Sequence, residues 1–163
     1  MALEIIRSKI YIFLAAASLS FLHTSNTFAF GAPSESDMPQ SIKVNGKNIS
    51  LQNLTSPIAG SSQTLRDGAS IYTKNCILCH GDLLDGKGLY GESFYPSPAN
   101  FLLTQSILSK PKSYSYWRIM KGGPGLPRKF EPWNSAMPSW EGVLTEEQTW
   151  KVIHFIYDKA KEL

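Results

Sequence analysis

The sequence predicts an all-α domain of three to five short helices behind a loop-rich N-terminal extension. Three observations predict it: two segments with helical apolar spacing near Thr64 and Thr145, Gly/Pro-rich loops between them, and no sustained alternating strand pattern after residue 62. The helices are too short and too few to close a dry core together, so the fold needs something apolar to fill it. The chain has 163 residues and 2 Cys, which bounds it to one domain or one domain with a tail. Charged residues make up 18%, which excludes a strongly charged disordered chain, and a net charge of +3 implies no nucleic-acid partner.

Residues 1–29 read as a signal peptide. Arg7 and Lys9 form the positive start, Ile10 to Leu22 the apolar stretch, and Ala29 a small residue for cleavage. The apolar stretch falls short of the roughly 18 residues needed to span a bilayer. Membrane association is therefore expected only through a partner or an uncleaved signal. Cleavage near Ala29 leaves 14 basic against 12 acidic residues, a net +2, in an exported, periplasmic protein.

Residues 30–62 form the extension. Ile42 to Ile49 alternates around Asn45-Gly46, the signature of a type I′ hairpin. A lone hairpin is marginal in water, so it must lie on the main domain or remain a mobile tail, and no chemistry is assigned to it. The main domain spans residues 63–163. Its first helix begins near Thr64 and places Leu65, Gly68, Ala69 and Tyr72 on one side. Gly inside a helix costs about 1 kcal/mol relative to Ala, so Gly68 marks close approach by another element. Residues 81–101 read as a loop with four Gly and two Pro. A short helix runs from Tyr114 to Lys121 and ends at Gly122-Gly123-Pro124. A second loop covers residues 122–140. Thr145 and Gln148 form a capping box for the last helix, whose stripe is Val152, Phe155 and Ile156.

Cys76-Ile77-Leu78-Cys79-His80 is a C-x-x-C-H haem-attachment pattern. One helical turn separates the thiols so that each can add to one vinyl group of a single porphyrin. His80 then supplies an imidazole nitrogen to the iron. A thioredoxin-like site would need a βαβ context, and a structural zinc site about two further Cys or His ligands. No βαβ context is visible, and the only other His residues are His23, in the signal, and His154, late in the last helix. The sixth iron position has four candidates: Met38, Met120, Met137 and His154. Met137 stands out because Pro138 holds it extended in a Pro-bounded loop, which lets the thioether project.

With these residues in place, the chain resembles the class I monohaem c-type cytochromes of bacterial periplasmic type over roughly residues 64–163. The resemblance implies a small cytochrome c-like domain wrapped around one covalently bound haem c. It makes Gly68 and Tyr72 the Gly and aromatic that precede the first Cys, crossing the last helix at Phe155. It makes Met137, in Met-Pro-x-aromatic, the distal ligand. It also brings Trp117 or Arg118 to the haem or its propionates. One departure stands out: the family often has Pro after the Gly-x-Gly that follows the motif, supplying a carbonyl to the proximal His. Here Gly86-Lys87-Gly88 is followed by Leu89.

Filled axial positions favour one-electron transfer over oxygen or peroxide chemistry, so the expected role is an electron carrier or electron-transfer subunit rather than an enzyme. Were Met137 not bound, the open position would suit a peroxidase or gas sensor. Residues 93–130 hold six Lys/Arg and no acid, and the stretch 110–129 is the expected docking surface for acidic redox proteins.

Overall fold

The computed structural model describes residues 33–103, 107–130 and 135–163. The signal-peptide reading of residues 1–29 lies outside these. A hairpin opens the described chain, with β1 (Ser41–Val44) antiparallel to β2 (Lys47–Ser50). Asn45 and Gly46 both take positive φ, 48° and 81°, as a type I′ turn requires. The hairpin lies on the main domain: Ile42, Val44 and Leu51 are buried in its core.

Four helices follow: α1 (Ser62–Asn75), α2 (Ile77–His80), α3 (Lys112–Lys121) and α4 (Glu146–Glu162). α1 starts two residues before the expected Thr64, because Ser61 acts as N-cap and accepts from the Thr64 N–H. α3 also starts two residues early. Pro111 stands at its N-cap position, where a missing N–H costs nothing. α4 begins at the expected capping box, with Thr145 and Gln148 satisfying each other's backbone N–H groups.

α1 crosses α4 closely, and α3 packs on α4 from another side. The crossing depends on Gly68. A Cβ there would overlap the Lys151 carbonyl and come within 2.8 Å of the Phe155 Cβ. Beside it, the Tyr72 and Phe155 rings lie 5.4 Å apart. Tyr116 and Trp150 stack at 5.1 Å, fully buried, between α3 and α4.

His154 fastens the segment ahead of α1 to this core. Its Nε2 lies 3.1 Å from the Ile58 carbonyl and 2.9 Å from Ser56 Oγ, while Lys112 Nζ is 3.1 Å from Nδ1. The neutral ring with its proton on Nε2 satisfies all three, whereas an imidazolium would face the lysine ammonium. Burial, and then Lys112, accordingly push its pKa below the ordinary 6.5. The unfolded chain therefore takes up this proton first, and the stability is present above about pH 6.5 and lost as pH falls through the lower folded value. The loss of Tm between about pH 8 and about pH 5 is expected to be smaller in His154→Gln than in the parent. Equal losses in both proteins would rule out this role.

Candidate functional site

The C-x-x-C-H motif sits where α1 ends and the single turn α2 begins. Cys76 follows the last residue of α1, and its N–H bonds back to the Tyr72 carbonyl at 2.8 Å. A turn this short leaves its carbonyls without helical partners, and the loop that follows supplies them. Gly86 N–H donates to His80 O, Gly88 N–H to Cys79 O, and Tyr90 N–H to Leu78 O at 2.8 Å. Gly88 must be glycine for this return, since a Cβ would overlap the Ile77 and Leu78 carbonyls. Tyr72 adds a hydrogen bond from its hydroxyl to the Gly81 carbonyl at 2.7 Å, which ties α1 to the end of the motif.

Both cysteines are free and half-buried. Burial, and then the neighbouring Cys79, push the Cys76 thiol up to about 12, so it is a neutral thiol at physiological pH. Cys76, Cys79 and His80 line one side of a cavity of about 410 Å³ between the helices and the two long loops. Tyr72, Ile119, Val152 and Ile156 form its apolar floor.

The carbonyl partner of His80, which sequence reading left unnamed, is Ala99. Its oxygen lies 3.3 Å from His80 Nδ1. With Nδ1–H donating, Nε2 is left with a free lone pair, as an iron ligand requires. Phe101 stacks on the imidazole with centroids 4.8 Å apart and planes 15° apart. Burial lowers the His80 pKa, which also favours the neutral ring. The Pro expected after Gly88 is thus replaced by a later segment, whose Phe101 N–H is fastened to Leu84 O at 2.8 Å.

Met137 lines the same cavity from the second loop. Its segment rests on the C-terminal end of α3. The Gly123 N–H donates to Met137 O at 2.7 Å, and the Trp140 N–H to Ile119 O at 3.1 Å. Gly122 has φ +58°, and a side chain on it would overlap the Pro138 carbonyl. The Gly122-Gly123 pair therefore does more than end a helix: it makes room for the methionine loop.

The other three sixth-ligand candidates lie elsewhere. Met120 is fully buried, and its sulfur accepts from Thr149 Oγ1. Met38 faces Ser113 Oγ at 3.9 Å, and His154 is held as described above. None of the three lines the cavity. Arg118 does line it and donates to Gly122 O at 2.8 Å. Trp117 is packed fully into the core and is not part of the lining, although its Nε1 has no partner among the described residues.

These residues fit a covalently held haem: two thiols, an imidazole with its far nitrogen free and a thioether border one apolar cavity, with Arg118 the guanidinium available to a propionate. Among the described residues, no cluster of three or more His, Cys, Asp or Glu offers a competing metal site. None of their helices is long and apolar enough to cross a membrane.

Comparison with known proteins agrees. The family model described as cytochrome c oxidase, cbb3-type, subunit III matches residues 63–156. Among solved structures, a chain of the Kuenenia stuttgartiensis reducing HAO-like protein complex superposes with a TM-score of 0.52 at 19% identity. The match covers 69% of this chain and 50% of that one, and it is a likeness of fold. No curated protein matches the chain.

Proposed function

Starting from the premise that the chain belongs to the cytochrome c oxidase, cbb3-type, subunit III family of monohaem c-type cytochromes, we propose that it passes single electrons between redox proteins through a haem c ligated by His80 and Met137. Membership of the family makes the chain an electron-transfer haem protein with one covalently bound haem c. The ligand pair, the partners, the exported location and the division into a 1–29 signal, a 30–62 extension and a 63–163 haem domain belong to the proposal.

One observation carries it: the Cys76–His80 motif and Met137, from two segments far apart in the chain, border a single apolar cavity. When bound there, haem c supplies a one-electron iron couple. The protein's own residues do the rest. Cys76 and Cys79 anchor the group, while Ala99 and Phe101 hold the His80 ring in one tautomer and one plane. Met137 offers a soft sulfur that favours the ferrous state. Tyr72, Ile119, Val152 and Ile156 keep water away. Two filled axial positions leave no open site for oxygen or peroxide, so the role is that of a carrier or electron-transfer subunit rather than of an enzyme.

A redox titration tests this reading. The haem-loaded protein is expected to titrate reversibly as a single one-electron centre. Turnover of peroxide at an open iron would contradict it.

The basic stretch 110–129 has a smaller docking role than its composition suggests. Lys121 pairs with Glu141 and Lys129 with Asp37, while Lys110 and Arg118 line the cavity. Burial, followed by Arg118, lowers the Lys110 pKa. Arg128 remains exposed. Electron-transfer rates with an acidic partner are therefore expected to fall as salt rises, with a shallow slope. Rates that do not fall with salt would remove the steering role.

A further inference from the structure

We propose that Glu141 is a positioning residue for Met137, and that the N-terminal hairpin acts on the sixth iron position through it. The inference rests on Met137 as ligand and goes beyond it, because the hairpin precedes the matched family region.

Glu141 stands four residues after Met137 and joins its loop to two elements. Its Oε1 accepts the Asn45 N–H at 2.7 Å, from the tip of the hairpin. Its Oε2 accepts from Lys121 Nζ at 2.5 Å, at the end of α3. Its own N–H donates to Met120 O at 3.3 Å. The hairpin cannot drift from this contact, because Ile42 and Val44 are buried beneath it. Ahead of the hairpin, the same chain grips the rest of the 107–130 stretch. Pro33 O accepts from the Tyr114 hydroxyl, and Asp37 pairs with Lys129.

The methionine segment is thus held at both ends. Gly123 takes the Met137 carbonyl at one end, and Glu141 at the other ties the segment to α3 and the hairpin. A methionine sulfur is a weak ligand that a stronger external base can replace whenever its loop swings away. Releasing the Glu141 end should make that swing more frequent without disturbing the Cys76–His80 side, which has its own hydrogen bonds.

The test is imidazole binding to the ferric, haem-loaded full chain, followed by absorbance. Glu141→Ala loses charge-assisted hydrogen bonds to two elements and is expected to bind imidazole about tenfold more tightly than the parent. Glu141→Gln should fall between them, since its carbonyl oxygen still accepts from Asn45. Lys121→Met should also tighten binding, and it decides the matter if Glu141→Ala fails to load haem. A Glu141→Ala protein with a lower Tm but unchanged imidazole affinity would make the residue merely structural and overturn the proposal. Met137→Ala is the reference: if it binds imidazole no more tightly than the parent, the ligand reading itself fails and takes the proposal with it.

Discussion

In Met137→Ala the thioether-to-iron charge-transfer band disappears, and the reduction potential falls by on the order of 0.1 V or more, within the ~0.8 V span that axial ligands set. The direction follows from chemistry: a soft sulfur stabilises ferrous iron, and a water or hydroxide in its place stabilises ferric iron. The size follows from the fold, because among the described residues none of the other Met and His candidates lines the cavity. Met120 is buried against Thr149, Met38 faces Ser113, and His154 is occupied by Ser56, Ile58 and Lys112. The vacated position should therefore open to solvent and to added ligands. Survival of the band in Met137→Ala would place the ligand elsewhere.

Gly68→Ala is expected to cost about 2–4 kcal/mol in unfolding free energy and to reduce haem loading. On propensity alone the change should gain about 1 kcal/mol, since Ala is the better helix former. Packing reverses the sign. The new methyl would meet the Lys151 backbone carbonyl and the Phe155 Cβ, and neither can move without separating α1 from α4. Those two helices also hold Tyr72, Val152 and Ile156 against the cavity. Denaturant unfolding checks the prediction, and a variant as stable as the parent would mean the crossing is looser than the structure places it.

The parts of this fold that were legible in sequence are those set by local chemistry. The Thr145–Gln148 box, the Asn45-Gly46 turn and the C-x-x-C-H spacing each declare themselves within a few residues. Gly68 was legible because glycine in an amphipathic helix has a cost that only close packing offsets. What stayed hidden depends on residues far apart in the chain. Ala99 is an ordinary residue whose carbonyl matters only because the loop returns to His80, 19 positions away. The Lys121–Glu141 and Lys129–Asp37 pairs are similar: composition shows a basic stretch, whereas tertiary contact pairs two of its six cations with acids. The early start of α3 at Lys112 reflects Pro111, which stands at the helix's N-cap. The resemblance brings Trp117 or Arg118 to the haem, and only tertiary packing tells them apart: Arg118 lines the cavity, whereas Trp117 is buried outside its lining.

The proposed function requires one iron held on both faces, by His80 and by Met137. The ferric absorption spectrum of the haem-loaded protein tests it most directly. A low-spin spectrum carrying the weak thioether band is the predicted result. A high-spin ferric spectrum, with the sixth position open, would contradict it and turn the reading toward peroxide or gas chemistry.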